Sequence, residues 1–467
     1  MSAFTRRSGP LACALVASLL LACGDVQPVP GADVLERLEA IPGLEVVEPT
    51  GMDVPPGYRF FILSFAQPAD HANPGGEGFS QRMTLLYTSD VAPMVLHTGG
   101  YSVSEEPRQR ELTQLLKANQ LSVEHRYFGP STPQGDDGWR HLTIQQSASD
   151  FHRIVEAFKP HFPGRWLSTG GSKGGETVVF FRRFYPEDVD ATVAYVAPIT
   201  RYDDERFIAF QESVGDAGCR DKLKAFQRAV LTRRQAMLAR MADLRNTTFS
   251  HVDPSKALEH AVIEYYFYFW QYQQPSRCGR IPSATATDDV LFRELDEVVG
   301  LWSFSDGAVE SYGPYFHQAA HELGYPRPFE SHLADLLQYP GTDVPESYIP
   351  RGITTTFRPE AMPDIQDWVA TRGERLMFIY GALDPWSAAP YTLGDARDAY
   401  LYTVPGGNHG ARISQLPEPQ RGEALRTVFG WAGMAPDWMG VRAQSWTLEP
   451  EGEEFSPRGP PRSLTAR

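Results

Sequence analysis

The sequence predicts an α/β fold, a largely parallel sheet whose chain is interrupted by a long helical insertion. Three observations predict it. Short β-rich runs alternate with helical periodicity between Tyr58 and Gly171, the pattern of parallel strands joined by crossover helices. One such strand runs into Gly170-Gly171-Ser172-Lys173-Gly174 and then a helical pattern, a G-x-S-x-G turn in strand–turn–helix context. Strand signals then fade from about Tyr202 to Tyr348 and return at Arg375, so the sheet is built from two separated parts of the chain.

The N-terminus reads as a targeting signal. Arg6 and Arg7 precede an apolar stretch, Leu11 to Leu21, which is too short to span a bilayer but suits the h-region of a secretory signal. It ends in Leu20-Leu21-Ala22-Cys23, a quartet that resembles the bacterial lipobox, in which the Cys is acylated. Residues 1–22 are therefore assigned to a lipoprotein signal peptide and Cys23 to lipid attachment, against an ordinary signal cut nearby. The expected location is extracytoplasmic, lipid-anchored to a bacterial membrane or secreted. Residues 23–48 are rich in Pro, Gly and acidic groups and read as a tether that ends in a short amphipathic segment, with ordered structure expected to begin after it.

A first α/β part is assigned to 49–201. YRFFILSFAQP and QRMTLLYTSD form an expected antiparallel pair, followed by APMVLHTGG, LSVEHRYFG and RWLSTGG, with helices over 110–118 and 147–159. Residues 202–348 form a helical cap insertion, with helices expected at 221–244, 256–274, 288–298 and FESHLADLLQY (329–339). The second α/β part, 349–448, carries the strands RLMFIYG and AYLYTVPG and the helix GEALRTVFGWAG. The Pro- and Arg-rich stretch 449–467 is expected to be a frayed tail.

Of the 467 residues, 42% are hydrophobic and 12% aromatic, which excludes a predominantly disordered chain. The formal charge of −15 argues against a nucleic-acid binder, which needs a basic face. Cys13 leaves with the signal and Cys23 carries lipid, so Cys219 and Cys278 remain as a pair in an oxidising compartment and are expected to form a disulfide. Two buried free thiols are the alternative. No H-E-x-x-H or C-x-x-C spacing occurs, so neither a metal nor another cofactor is implied.

The G-x-S-x-G turn nominates Ser172 as a nucleophile, held at a sharp turn so that Oγ projects above the sheet. A serine needs a base, and the base an orienting carboxylate. In folds of this kind they follow the serine in the order acid, then His, on loops at strand ends. Asp384 follows the strand LMFIYG, and His409 follows LYTVPG. The competing readings are a helix N-cap for Asp384 and an ordinary loop histidine for His409. An oxyanion would be met by the Lys173 amide and by one from the VLHTGGY loop, at Gly99, Gly100 or Tyr101. His97 and His125 precede Ser172 and are read as structural. A Ser–Lys dyad through Lys173 is disfavoured because neighbours at such a turn point apart.

TGGSKGG, EHRYFGPSTP, LTIQQSASD, GALDPW and PGGNHG together resemble the bacterial prolyl tri- and tetrapeptidyl aminopeptidases, the PS-10 type of serine peptidase, and more distantly the lysosomal prolylcarboxypeptidase and dipeptidyl-peptidase group. The resemblance covers roughly residues 50 to 445. It implies an α/β-hydrolase fold with a helical cap, the triad Ser172, Asp384 and His409, and release of short, Pro-ended peptides from free N-termini. The implied partners are peptides, with membrane contact only through the N-terminal lipid. Glu176 departs from the pattern, where an apolar residue such as Met is expected. Within the cap, the aromatic run around Trp270 is read either as cap core or as a surface for substrate proline. A free amine needs a carboxylate, for which Glu264 and Glu310 are the candidates. An esterase with the same triad and a non-catalytic peptide-binding lipoprotein are the competing functions.

Overall fold

The computed structural model describes residues 32–135 and 138–435. The signal peptide, Cys23 and the 449–467 tail lie outside these residues. The strands are β1 (Leu44–Val47), β2 (Arg59–Pro68), β3 (Gly78–Tyr87), β4 (Met94–Thr98), β5 (Asn119–Val123), β6 (Trp166–Gly171), β7 (Ala191–Tyr195), β8 (Glu374–Gly381) and β9 (Arg397–Val404). They form one sheet in the order β1-β2-β3-β5-β4-β6-β7-β8-β9. β1 to β3 are antiparallel to their neighbours, and the pairs from β5 to β9 are parallel. This is the α/β-hydrolase fold. The order reverses at β4, which lies between β5 and β6, so the loops leaving β4 and β6 meet at a topological switch point, where open α/β sheets bind ligands.

Helices cover both faces: α1 (Val34–Glu39), α2 (Glu111–Leu116), α3 (Ile144–Phe158), α4 (Lys173–Phe184), then α5 (Arg206–Ser213), α6 (Ala217–Thr232), α7 (Arg234–Met241), α8 (Pro254–Tyr272), α9 (Asp288–Val299) and α10 (Asp306–Gln318), and finally α11 (Ala361–Arg372) and α12 (Gln420–Trp431). In α3 the side chains Phe151, Ile154, Val155 and Phe158 recur at helical spacing and pack on Leu63, Met83, Leu96 and Trp166 of the sheet. Truncating one of them, such as Ile154 to Ala, would cost roughly 2–5 kcal/mol. On the opposite face Leu112 and Leu116 of α2 and Val428 and Phe429 of α12 cover Val95, Leu167, Val193 and Ile379. β4, β5, β6 and β7 are buried along their whole length, as expected of parallel strands covered on both sides.

Two expectations are corrected. Residues 34–47 are not tether: α1 buries Val34 and Leu38 in the core, and β1 pairs with β2. The short amphipathic segment expected here is α1, but its docking into the core and the four-residue strand that follows it are too short to read from the sequence. FESHLADLLQY forms one 3-10 turn, Ser331–Leu333, and no α-helix. Its carbonyls have tertiary partners instead, because Arg228 donates to His332 O and Arg234 to Leu336 O, while Glu259 accepts from the amides of Gln338 and Tyr339. β7 and α11 are further elements not anticipated from the sequence.

The insertion between β7 and β8 is helical, from α5 to α10, and its core is continuous with Val178, Val179 and Phe180 of α4. Cys219 at the start of α6 and Cys278 after α8 are joined by a disulfide, with Cα atoms 5.3 Å apart. Among the described residues, no helix is long and apolar enough to cross a membrane.

Candidate active site

Ser172 sits between β6 and α4 with φ 54° and ψ −127°, a left-handed conformation that a non-glycine residue holds only under constraint. The constraint is local. Ser172 N–H donates to Tyr195 O at 2.9 Å and Ser172 O accepts from Glu176 N–H at 2.9 Å, tying the turn to β7 and to the helix it opens. A Cβ on Gly170 would lie 2.3 Å from Gly174 O, so only glycine lets the strand and helix approach this closely. The first residue of α4 is Lys173, and the helix N-terminus leaves its amide oriented for an anion.

The loop after β4 lies against this elbow. A Cβ on Gly100 would come within 2.6 Å of Gly174 N. Gly99 N–H is committed to Val123 O at 2.8 Å, which narrows the second oxyanion donor to Gly100 or Tyr101. The Lys173 ammonium donates to Gly100 O at 2.7 Å and lies 5.5 Å from the ring centres of Tyr101 and Phe128. Its side chain thereby pins the loop to the elbow, a use different from the dyad weighed above.

Asp384 and His409 leave the ends of β8 and β9, separated by 25 positions, and His409 Nδ1 lies 2.8 Å from Asp384 Oδ2. Asp384 is fully buried and His409 is 2% exposed. Asp384 Oδ1 also accepts from Trp386 N–H at 3.2 Å, so the N-cap reading and the orienting role coexist on the two oxygens. With Nδ1 donating to Asp384, Nε2 is the acceptor, and it is buried with no hydrogen-bond partner. The His409 ring meets Tyr272 edge-on at 6.1 Å, and its amide donates to Gln271 O at 3.0 Å, so α8 braces the histidine. His125 is engaged with Arg126 O and Ser147 Oγ, and His97 is buried within the sheet.

Ser172 opens into a cavity between the sheet and the cap. Tyr101, Tyr315, Phe316, Tyr325 and Trp386 give it aromatic walls, and Glu264, Phe267, Tyr268 and Gln271 line it from one face of α8. Four residues at i, i+3, i+4 and i+7 share a helix face. Trp270 lies off that face: it is fully buried against Gly215 and Phe269 in the cap core, so its assignment to substrate is corrected. Glu310 is exposed on α10 and does not line the cavity, and that assignment is corrected too. Glu264 does line it. Burial raises its carboxyl to about 7.

Two further acids were not assigned to the site from sequence. Glu176 lines the cavity beside Ser172 and Lys173, and burial raises it to about 8 against the opposing pull of Lys173. Its position after the elbow was a sufficient signal. Asp343, in the Gly341-to-Val344 stretch, reaches the cavity from the cap, and no pattern in the sequence marks it.

The family described as PS-10 peptidase S37 matches residues 28–445. The chain is 42% identical over 416 residues to a prolyl tri/tetrapeptidyl aminopeptidase of Streptomyces mobaraensis, covering 87% of this chain and 86% of that protein. It is 36% identical over 165 residues to the human lysosomal Pro-X carboxypeptidase, covering 31% and 33%. Among solved structures, a proline iminopeptidase of Mycobacterium smegmatis aligns with a TM-score of 0.36 and 14% identity, over 79% of this chain and 98% of that one.

Proposed function

The chain belongs to the PS-10 peptidase S37 family and is a serine-type peptidase, and from that premise we propose that it releases Pro-ended tri- and tetrapeptides from free N-termini through Ser172, His409 and Asp384. The observation that carries the triad is the 2.8 Å contact between His409 Nδ1 and Asp384 Oδ2, with Nε2 left unbonded. Asp384 fixes the tautomer in which Nε2 accepts a proton. Ser172 Oγ forms a bond to the scissile carbonyl carbon and His409 takes its proton. The oxyanion is met by the Lys173 amide and an amide at Gly100 or Tyr101. His409 then gives the proton to the departing amine, and water releases the acyl group by the same steps in reverse.

Exopeptidase action is supported by the cap, whose residues line the cavity that holds Ser172, and by the acidic side chain of Glu264 within it. Preference for proline is supported by the flat apolar walls of Tyr101, Tyr315 and Trp386. Cys23 would hold the body at a membrane, which a Cys23→Ala variant released into the soluble fraction would test.

The deciding experiment compares a free-amine Ala-Ala-Pro anilide with a short-chain aryl ester. Cleavage of the anilide, abolished together with fluorophosphonate labelling in Ser172→Ala, is the expected result. High ester turnover without anilide cleavage would mean an esterase. No labelling of the folded wild type would mean a binding protein.

A further inference from the structure

The cavity holds two carboxyl groups that the triad does not use. Glu264 projects from α8, and Asp343, 3% exposed, approaches from the cap. Their carboxyl groups are in hydrogen-bonding contact, which two acids can achieve only when one of them carries a proton. Asp343 Oδ1 has Tyr348 Oη at 3.4 Å and His260 Nδ1 at 3.5 Å. Asp343 Oδ2 is sealed from bulk water and receives no hydrogen bond from any protein N–H or hydroxyl. The Ser303 hydroxyl, on the same cavity wall, is also buried without a partner. Buried polar groups left in this state are costly unless something completes them.

The surroundings select what that something is. Tyr268, Tyr315, Tyr325 and Tyr348 face the pair, Glu330 adds a further negative charge toward Asp343, and burial pushes His260 down to about 3, so it is neutral. Among the described residues the cavity lining carries one cation, Lys173, whose ammonium is held at Gly100 O beside the elbow. A pair that shares one proton carries a single negative charge. Its complement is one cation with several N–H donors, and a primary ammonium offers three.

Helix α8 gives the distance. Gln271 accepts the His409 amide through its carbonyl and lines the cavity, so it marks the catalytic end. Glu264 lies seven positions earlier on the same face, about 10.5 Å along the axis at 1.5 Å per residue. Extended peptide advances about 3.3 Å per residue, so three residues cover about 10 Å.

We infer that Glu264 and Asp343 form the receptor for the substrate's N-terminal ammonium and that the two turns of α8 between Glu264 and Gln271 set the length of the released peptide. The inference rests on the exopeptidase reading above. It predicts tripeptidyl release as the preferred mode, tetrapeptidyl release with a bowed chain, and poor dipeptidyl release because the ammonium stops about one residue short.

The test measures kcat/KM of the full chain for di-, tri- and tetrapeptide anilides that end in proline, each with a free and an acetylated amine, in wild type, Glu264→Gln and Asp343→Asn. Fluorophosphonate labelling at the wild-type rate certifies the fold and elbow of each variant. In the wild type the free-to-acetylated ratio is expected to be high and to peak at the tripeptide. In both variants it should fall at least ten-fold, through KM more than kcat. A wild type indifferent to acetylation would overturn the exopeptidase reading itself. A wild type that prefers free amines, with variants that keep the preference, would overturn only the receptor. A ratio that peaks at the dipeptide would remove the α8 spacing as its measure.

Discussion

Replacing Gly100 by Ala tests whether the loop after β4 supplies half of the oxyanion hole. The added Cβ would lie 2.6 Å from Gly174 N, 2.9 Å from Lys173 Cβ and 3.0 Å from Lys173 C. Two of these three atoms belong to the backbone of the elbow, which β7 holds through Ser172 N–H, so the loop must yield. Ordinary contact begins at 3.4 Å, and restoring it moves the loop by about 0.8 Å. Gly100 does not have a positive φ, so backbone strain adds nothing and the effect is steric. A displacement near 1 Å at a catalytic donor costs about 10²-fold, comparable to deleting one oxyanion donor outright. The expected result is a kcat reduced about 10²-fold with KM for free-amine peptides changed much less, because the Glu264 end of the cavity is untouched. Fluorophosphonate labelling should slow in parallel. Gly430→Ala, in α12 with nothing within 4 Å of its Cβ, is the control and should retain activity. A Gly100→Ala enzyme within three-fold of wild-type kcat would refute the donor assignment.

Three further predictions follow from the buried acids and the disulfide. Because Glu264 titrates at about 7 and only its ionised form leaves the pair negative, the free-to-acetylated kcat/KM ratio should fall about five-fold from pH 7 to pH 6. His409 serves both substrates and cancels from that ratio, and the substrate ammonium stays protonated over this range; a flat ratio contradicts the prediction. The folded state raises Glu176 from 4.5 to about 8, so it binds the proton more tightly than the unfolded chain, and its contribution to stability declines as pH rises from about 4.5 to about 8. Glu176→Met should therefore raise the unfolding free energy from urea titration more at pH 8 than at pH 5, by a few kcal/mol at most; equal gains at both pH values would reject the burial argument. Closing a loop of 59 positions, the Cys219–Cys278 disulfide is worth about 4 kcal/mol in the chain-entropy account, and replacing both cysteines by Ser should lower cap stability toward that amount in urea unfolding, whereas an unchanged midpoint would show that the cap does not depend on it.

Most of the α/β layer, β7 and α11 apart, was legible because its signals are local. Strands such as LMFIYG end in glycine turns, α3 shows a clean apolar stripe, and the elbow places Ser172 between two recognisable elements. Asp384 and His409 were legible for the same reason, since each directly follows a readable strand. β1 and the docking of α1 were not: four strand residues next to Pro, Gly and acids carry too little periodicity, and their burial depends on β2, which is distant in the chain. The 329–339 segment has helical periodicity, but Arg228, Arg234 and Glu259 bind its backbone in another conformation, and tertiary partners of that kind override propensity.

The cavity-lining face of the cap was hidden by the composition of α8 itself. A surface helix announces its buried side through an apolar stripe, and its polar side by exclusion. α8 is apolar nearly all round, because one side packs in the cap core through Leu258, Tyr265, Phe269 and Trp270 while the other lines the cavity through Phe267 and Tyr268. Aromatic character therefore could not separate Trp270 from Tyr268, two residues apart on different sides of the helix. A carboxyl on a largely buried helix requires a partner or a ligand; Glu259 has Arg234 and the Gln338 and Tyr339 amides, which leaves Glu264, and extending from it by three, four and seven residues picks out Phe267, Tyr268 and Gln271 while rejecting Trp270. The same rule cannot reach Asp343, which lies in a loop without periodicity and gains its meaning only from the carboxyl it meets in the cavity.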